Sequence, residues 1–361
     1  MDINEILTIE PYSLSKEDKH RLLNDRLQEL TRLHYEKCET YRRIVNAFGL
    51  NIDNLPFYEK LPFIPVRLFK EFEMLSCMKE EVVKTMTSSG TTGQQVSRIF
   101  LDRDTSSLQT KCLTKIVSAF LGTRRVPMLI LDSNAVVKNR NMFSARGAGI
   151  LGFSMFGSKR CYAFNEEMEL DVEGIRAFLE TYQNETIFMF GFTFMIWQHF
   201  YKKLLESGYR PNLSKGVLIH GGGWKKLATE KISPDEYKQA LHYVCGILPQ
   251  NVHDYYGMVE QTGTIYMECE YGHLHTSCFS DIMIRRPQDF SLAEVGEKGL
   301  IEVVSILPQS YPGHILLTED EGFILGEDDC PCGRKGKYFK VGGRIKNAEI
   351  RGCSDTYAAK F

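Results

Sequence analysis

The sequence predicts an α/β protein whose β-sheets are buried between helices. Two observations support this: short apolar runs of strand composition alternate with longer amphipathic stretches, and glycine-rich turns follow several of the runs. The chain has 361 residues, enough to bury a sizeable core, and it is 43% hydrophobic and 25% charged, as globular proteins are. We therefore expect the apolar runs to form buried strands.

The elements can be followed in order along the chain. Residues 15–48 carry apolar side chains at helical spacing, which predicts one or two amphipathic helices. Residues 55–72 mix three prolines with large apolar residues, which indicates an extended segment leading to a short helix. Strand composition is found at residues 81–86, 126–131, 187–190, 216–220 and 299–306. Helical patterns are found at residues 106–121, 172–182, 194–207 and 235–248.

Charge and cysteine content exclude several classes of protein. The formal net charge of -2 provides no basic surface for nucleic acid, so no nucleic-acid partner is expected. No apolar run approaches the length of a membrane span, and the acidic start Met1-Asp-Ile-Asn-Glu5 does not resemble a signal peptide. The ten cysteines are mostly isolated, which favours reduced thiols over a disulfide framework. These features predict a cytoplasmic protein.

A loop of hydroxyl side chains and glycines provides the first functional signal. Glycine lets backbone N–H groups approach an anion, and serine and threonine add donors, so the loop suits phosphate binding. It lacks the pattern of a P-loop, and an ordinary flexible surface loop is the alternative. The candidate phosphate-binding residues are Thr87, Ser88, Ser89, Gly90, Thr91, Thr92 and Gly93.

Three later segments suit the remaining parts of a nucleotide. The triplet Gly221, Gly222 and Gly223 follows a strand, where a flat ligand could lie against bare backbone. The run 251–260 contains Asp254, Tyr255, Tyr256, Gly257 and Glu260, which combine an amine acceptor, a ring for stacking and an oxygen ligand for magnesium. The acidic turn 317–322 presents Asp320 as an acceptor for two ribose hydroxyls, although a charged hairpin turn is the alternative.

In this order, the segments resemble the motifs of the adenylate-forming superfamily of acyl-CoA ligases, luciferases and peptide-synthetase adenylation domains. Residues 88–93 resemble its phosphate loop, residues 256–260 its Tyr-Gly-x-Thr-Glu motif with Val259 in place of threonine, and residues 343–346 its hinge motif. The resemblance implies an α/β large domain with stacked mixed sheets. It implies that Tyr256 and the glycine triplet hold adenine, Asp320 and Arg344 the ribose, and Glu260 the magnesium of ATP.

The chain departs from that superfamily at two places. The phosphate loop has no Pro-Lys after its last glycine, and Arg98 is a candidate for the missing charge. The chain stops shortly after the hinge motif, so we expect the mobile C-terminal domain to be absent. The predicted organisation is a large domain over residues 1–341, helical in its first 80 residues, followed by a hinge remnant and tail over 342–361 that carries Cys353.

Four stretches resemble a narrower family, the acyl-protein synthetases of the bacterial luminescence fatty-acid reductase complex. They are residues 34–42, 61–70, 87–93 and 221–225. The resemblance implies activation of a fatty acid as acyl-AMP and then transfer to a cysteine near the C-terminus, where Cys353 follows Gly352. It also implies an acyl-reductase partner. The alternative is that Cys353 is a bystander after a hinge glycine.

A second cysteine pattern predicts structural zinc. Cys330 and Cys332, with Cys269 and a histidine, would form a Cys₃His tetrahedron. Phenylacetate-CoA ligase-like proteins show a similar arrangement, which His275 fits better than His273. Two buried small apolar residues are the alternative for Cys-x-Cys.

These inferences together predict an acid–thiol ligase that consumes ATP and a carboxylic acid. Its candidate catalytic residues are Cys353 and Glu260. Two rivals remain open. One is a truncated acyl-CoA ligase that uses coenzyme A, and the other is a non-catalytic subunit that binds nucleotide.

Overall fold

The computed structural model describes residues 1–88, 95–138, 145–224 and 232–345. Strands and helices alternate through these ranges, as the sequence predicts. The strands are β1 (Ile64–Pro65), β2 (Lys84–Thr87), β3 (Arg98–Leu101), β4 (Val126–Ser133), β5 (Gly157–Phe164), β6 (Phe188–Phe192), β7 (Val217–Gly221), β8 (Val252–Tyr256), β9 (Tyr266–Glu268), β10 (Leu274–His275), β11 (Ser280–Arg285), β12 (Gly299–Ser305), β13 (Ile315–Glu327) and β14 (Lys337–Arg344).

The helices confirm most of the predicted helical stretches. They are α1 (Ile3–Ile6), α2 (Lys16–Lys37), α3 (Glu39–Ala47), α4 (Leu68–Glu71), α5 (Arg103–Leu121), α6 (Ala135–Lys138), α7 (Ala145–Phe153), α8 (Val172–Thr181), α9 (Thr193–Met195), α10 (Lys202–Ser207) and α11 (Pro234–Cys245). Between α9 and α10 the residues Ile196–Tyr201 form a π-helix, so residues 193–207 make one continuous helical segment.

Local sequence explains where the long helices begin and end. Ser15, Asp102 and Ser233 each accept a hydrogen bond from a backbone N–H of the first turn of α2, α5 and α11, respectively. At the end of α11, Gly246 has a φ of 73°, a left-handed conformation that glycine adopts without steric cost.

Twelve strands form one mixed sheet, and β2 pairs with β3 in a separate two-stranded sheet. Strands β5, β4, β6, β7 and β8 are parallel in that order. The order continues antiparallel through β9, β10, β14, β13, β12 and β11, and β1 adds to β13 in parallel. The expected stacked sheets are therefore one hydrogen-bonded sheet. The short strands β9 and β10 account for the difference, because they connect β8 to β14.

The parallel and antiparallel parts of the sheet are covered by apolar side chains. One buried cluster surrounds the parallel strands, and a second joins β11–β14 to α3 and β1. The predicted domain boundary at residue 342 falls within β14. In the described ranges, no helix combines the length and apolar character that a membrane crossing requires.

Candidate nucleotide site and cysteine–histidine cluster

The parallel strands β7 and β8 end side by side, and the glycine triplet lies at this edge. Gly221 is the register partner of Tyr255. A Cβ atom on Gly221 would lie 2.6 Å from Cε1 of Tyr255, so only glycine allows the ring to pack this closely. The carboxyl edge of a parallel sheet is where α/β proteins bind ligands. Gly222, with a φ of +73°, then turns the chain away from the strand.

Tyr256 points to the other face of β8, as adjacent strand residues do. Its hydroxyl donates to Oδ2 of Asp320 at 2.8 Å, and Nε of Arg344 donates to Oδ1 of the same carboxylate at 3.0 Å. The ring of Tyr256 also packs against Tyr266 and Phe339. Burial and the charge of Asp320 raise the pKa of Tyr256, so its hydroxyl remains protonated and donates. The structure therefore brings Tyr256, Asp320 and Arg344 together, whereas Tyr255 contacts the glycine triplet.

Asp254 lies one residue earlier and belongs to a second polar group. Its backbone N–H donates to Oε2 of Glu268 at 2.9 Å, and Glu268 also pairs with Lys238 at 3.0 Å. Burial and the charge of Glu268 raise the pKa of Asp254. Lys238 and Glu268 are both buried, so the ion pair holds the end of β8 against α11 and β9.

His220 connects β7 to the segment after β6. Its Nδ1 lies 2.9 Å from Oγ1 of Thr193 and 3.8 Å from Oδ1 of Asp254. Burial, reinforced by the charge of Lys238, lowers the pKa of His220 to about 3, so the ring is neutral near pH 7. Sequence reasoning passed over His220, Thr193 and the Lys238–Glu268 pair. Of these residues, only His220 could have been singled out from the sequence, because it is a polar residue at the end of an apolar run.

A buried ion pair at the end of β4 was also missed. Nη2 of Arg146 donates to Oδ1 of Asp132 at 3.1 Å, and its Nε lies 3.0 Å from Oδ2. Burial raises the pKa of Asp132 to about 6, although Arg146 opposes the shift. Both residues lie near the carboxyl edge of the parallel strands. The pairing could not be read from the sequence, because Arg146 follows an unpatterned stretch.

Glu260 lies in a short 3₁₀ turn after β8 and is 4% exposed. Its carbonyl oxygen accepts a hydrogen bond from the hydroxyl of Tyr311 at 2.9 Å. The neighbouring Gln261 donates to the carbonyl oxygen of Gly313 at 2.8 Å, which holds the turn against the segment before β13. A carboxylate is an oxygen ligand of the kind magnesium prefers, so the chemistry of Glu260 suits that ion. Gly257 packs against Ile265.

The base of the hydroxyl loop is described, and its tip is not. Thr87 ends β2 opposite Arg98 on β3. Ser88 accepts a hydrogen bond from the backbone N–H of Ser97 at 2.9 Å, and its own N–H donates to the carbonyl of Ser97. The hairpin thus closes the loop at this point. Five predicted phosphate ligands lie outside the described residues: Ser89, Gly90, Thr91, Thr92 and Gly93.

The four predicted zinc ligands come together between β9, β10 and the turn before β14. One ligand atom from each of Cys269, His275, Cys330 and Cys332 lies within 4.8 Å of the others. The Sγ atoms of Cys269 and Cys330 are 4.0 Å apart, and Nε2 of His275 lies 3.4 Å from Sγ of Cys332. Tetrahedral zinc with Zn–S bonds of about 2.3 Å requires sulfur atoms about 3.8 Å apart. The donor set therefore fits a structural zinc ion.

The residues around this cluster hold the ligands in place. The backbone N–H of Tyr271 donates to Sγ of Cys269 at 3.4 Å. Tyr338 stacks on His275 with ring centroids 5.6 Å apart. His273 is the other histidine considered from sequence, and its Nδ1 lies 3.3 Å from Sγ of Cys330. The nine cysteines of the described ranges form no disulfide with one another.

The sequence matches a known protein family over nearly its whole length. The model of the family "Acyl-protein synthetase, LuxE" matches residues 2–361. The chain belongs to the LuxE acyl-protein synthetase family. The family and the ligase activity predicted from the sequence are thus confirmed.

Family relatives match the chain from end to end. The long-chain-fatty-acid–luciferin-component ligase of Vibrio harveyi is 21% identical over 97% of this chain and 91% of its own. The ligase of the same name from Aliivibrio fischeri has the same identity and coverage. Among solved structures, an open conformation of 2-hydroxyisobutyryl-CoA ligase has a TM-score of 0.69 at 14% identity, over 94% of this chain and 77% of its own. The chain therefore has an α/β fold similar to that of adenylate-forming CoA ligases.

The predicted acyl acceptor lies outside the described residues. Cys353, the predicted acyl acceptor, follows residue 345, where the described chain ends. Its role stays a prediction that chemistry has to test.

Proposed function

We propose that this family member activates a long-chain fatty acid with ATP and then carries the acyl group as a thioester on Cys353. The single observation that carries the proposal is the convergence of Tyr256 and Arg344 on the Asp320 carboxylate. Those three residues occupy the motif positions expected to bind adenine and ribose. The names of the relatives supply the substrate class, since both are ligases of long-chain fatty acids.

In the first step, a carboxylate oxygen of the fatty acid attacks the α-phosphorus of ATP. A carbon–oxygen–phosphorus link forms, the bond to the β-phosphate oxygen breaks, and pyrophosphate leaves. This displacement needs neutralisation of charge more than a general base. Thr87, Ser88 and the rest of the hydroxyl loop would donate hydrogen bonds to the phosphates, and Glu260 would hold magnesium. Magnesium, when bound, neutralises phosphate charge.

Asp320 would accept the ribose hydroxyls while Arg344 and Tyr256 hold its carboxylate. Tyr255 and the glycine triplet form a flat surface suited to adenine, and Asp254 would accept from its amino group. The structural relative supports an adenylate intermediate, because it was solved with 2-HIB-AMP bound.

In the second step, the thiolate of Cys353 attacks the acyl carbonyl. A carbon–sulfur bond forms, the bond between the carbonyl carbon and the phosphate oxygen breaks, and AMP leaves, while the thiol proton is released to solvent. AMP is a good leaving group and a thiolate is a strong nucleophile, so no further activation is required. An acyl reductase would then accept the group from the thioester.

We propose structural zinc at the cysteine–histidine cluster and residues 1–341 as the large domain. The cluster joins β9 and β10 to the turn before β14, the strand that ends at Arg344. Zinc, when bound, would hold both sides of the nucleotide site together.

A labelling experiment with two readouts tests the proposal. The purified chain is incubated with ATP, magnesium and radiolabelled tetradecanoate. We expect protein-bound label that hydroxylamine removes, and acid-dependent exchange of pyrophosphate into ATP. Cys353→Ser should lose about 90% or more of the protein-bound label, because the second step needs the thiol. It should keep the exchange of pyrophosphate into ATP, because the first step does not.

Cys77→Ser, which alters a partly exposed thiol elsewhere, should keep both activities. Label that persists in Cys353→Ser would disprove the acceptor. Acyl-CoA formation with unlabelled protein would instead identify a coenzyme A ligase. ATP binding without exchange would identify a non-catalytic subunit.

A further inference from the structure

The buried segment 308–314, which precedes β13, is fixed to the hairpin that carries the hydroxyl loop. Oγ of Ser310 donates to the carbonyl oxygen of Phe100 at 2.8 Å, and Phe100 lies on β3, the strand that follows the loop. The backbone N–H of Ser310 donates to Oγ1 of Thr105, in the first turn of α5, at 3.1 Å. Ser310 and Thr105 are both fully buried, so these bonds are shielded from water. One end of the segment therefore has a set position relative to the base of the loop.

Two consecutive hydrogen bonds connect α5 through this segment to the turn that carries Glu260. Nε2 of Gln109, on α5, donates to the hydroxyl of Tyr311 at 3.4 Å, and that hydroxyl donates to the carbonyl oxygen of Glu260 at 2.9 Å. Burial, reinforced by the charge of Glu260, raises the pKa of Tyr311, so its hydroxyl stays protonated and donates. Consecutive hydrogen bonds polarise one another, so the bond from Gln109 strengthens the bond to Glu260.

Two glycines allow the close contacts around these hydrogen bonds. A Cβ atom on Gly313 would overlap the ring of Tyr311 and lie 3.0 Å from the carbonyl oxygen of Glu260. A Cβ atom on Gly263 would lie 2.7 Å from Cα of Gln109, and its φ of +95° also favours glycine. The chain around Glu260 therefore packs directly against α5 as well as against Tyr311.

The residue after Glu260 has separate anchors. Nε2 of Gln261 donates to the carbonyl oxygens of Gly313 at 2.8 Å and Val303 at 3.1 Å. These bonds attach the turn to β12 and to the segment before β13 without using the hydroxyl of Tyr311. Removing that hydroxyl should therefore release the backbone of Glu260, from which its carboxylate extends, and leave the turn attached.

We propose that Tyr311 is a positioning residue for the magnesium of ATP, and that its hydroxyl fixes Glu260 at a set distance from the hydroxyl loop. The inference rests on the proposed function, in which Glu260 holds the ion and the loop binds the phosphates. Magnesium requires near-ideal octahedral geometry with short bonds to oxygen, so a small displacement of the carboxylate weakens its binding. Gln109 supports Tyr311 from α5 in the same role.

Calorimetry with α,β-methylene-ATP tests the inference, because this analogue binds but cannot be cleaved next to its α-phosphorus. The measured quantity is the magnesium gain, defined as the Kd of the analogue in EDTA divided by its Kd in Mg²⁺. In Tyr311→Phe the ring remains, and we expect the gain to fall about tenfold while the Kd in EDTA changes less than about twofold. Gln109→Met removes only the donor to Tyr311 and should reduce the gain about threefold.

Two comparisons separate positioning from a general structural role. Tyr58→Phe removes another buried hydroxyl, which donates to Oδ2 of Asp281 at 2.7 Å outside the proposed site. It should leave the magnesium gain unchanged even where it lowers the free energy of unfolding. AMP lacks the β- and γ-phosphates, so its Kd should be the same in Tyr311→Phe and in the unaltered chain.

Glu260→Gln shows which idea fails if the result is negative. It should abolish the magnesium gain. An unchanged gain in Tyr311→Phe beside a lost gain in Glu260→Gln would refute this inference alone, as would weaker binding of AMP in step with the analogue. If Tyr311→Phe does not fold, an unchanged gain in Gln109→Met has the same meaning. A full gain in Glu260→Gln, or no gain in the unaltered chain, would refute the proposed role of Glu260 and this inference with it.

Discussion

Asp320 shows how single residues would prepare the proposed site for a nucleotide. Each carboxylate oxygen can accept more than one hydrogen bond. Tyr256 uses one position on Oδ2 and Arg344 one on Oδ1, so capacity for two ribose hydroxyls remains. Because both donors hold the carboxylate in one orientation, we expect little reorganisation when nucleotide binds.

Removing the hydroxyl of Tyr256 tests this arrangement. In Tyr256→Phe the ring remains, but Asp320 loses one donor and can rotate. A hydrogen bond to a charged group contributes about 1.5–3 kcal/mol, so we expect the KM for ATP to rise by about tenfold or more. Steady-state pyrophosphate release at varied ATP measures the effect.

Tyr35→Phe is the matched control, because it removes a hydroxyl that donates to Asn46 near the surface. It should leave the KM for ATP unchanged. Equal KM values in Tyr256→Phe and the unaltered chain would show that Asp320 does not need the hydrogen bond from the Tyr256 hydroxyl.

The contacts between residues of the candidate site could be predicted only in part from the sequence. The order of motifs along the chain placed Tyr256, Asp320 and Arg344 in one site, and the structure brings them together. The strand alternation that sends Tyr255 to Gly221 and Tyr256 to Asp320 depends on the register of β7 and β8. The Lys238–Glu268 pair joins two elements through packing, which leaves no pattern in the sequence.

At the scale of elements, β9 and β10 connect the two parts of the sheet. They have three and two residues, too short for any hydrophobic alternation to reveal them in the sequence. The longer runs β4, β6, β7 and β12 were predictable because each is a continuous apolar stretch. The cysteine–histidine cluster lies between these short strands and the turn before β14, so side-chain bonds can supplement the few backbone hydrogen bonds.

Metal analysis tests the cluster. We expect the purified chain to contain about one zinc ion, and Cys332→Ser to lose most of it because a tetrahedral site needs four ligands. Loss of the metal should reduce the free energy of unfolding by on the order of 4 kcal/mol. Inductively coupled plasma spectrometry and urea denaturation measure the two effects.

Cys77→Ser again serves as the control, and it should retain both the metal and the stability. A chain that binds no zinc after growth in zinc-supplemented medium would show that the four side chains form a reduced polar cluster instead.

At the scale of the whole molecule, buried neutral histidines link stability to pH. The tilted rings of His34 and His314 pack together with centroids 4.9 Å apart, between α2 and the segment before β13. His34 contacts Oγ of Ser76 at 2.7 Å and the carbonyl of Pro308 at 3.1 Å. Burial lowers the pKa of His34 to about 3, and burial together with His34 lowers the pKa of His314 well below its usual value.

Acid should therefore destabilise the chain well above the pKa of its carboxyl groups. Below about pH 6.5 the unfolded chain protonates His34, and the folded chain does not do so until about pH 3. Each such histidine then costs about 1.4 kcal/mol of unfolding free energy per pH unit within that window. Urea denaturation at pH 7.0 and pH 5.5 measures the loss.

His34→Gln removes one titrating ring and should reduce this pH dependence by about one proton. Ser76→Ala removes only the hydroxyl partner, so it should lower stability at both pH values and leave the slope intact. An unchanged slope in His34→Gln would show that the ring is already protonated in the fold.

The short strands β9 and β10 have a mechanical consequence. A load applied across the sheet is shared among backbone hydrogen bonds, and each of the three strand junctions between β8 and β14 has only two register pairs. Strand pairing should therefore rupture along this path before it ruptures between β13 and β14, which have seven register pairs. Oxidation of the neighbouring thiols would weaken the same part of the sheet.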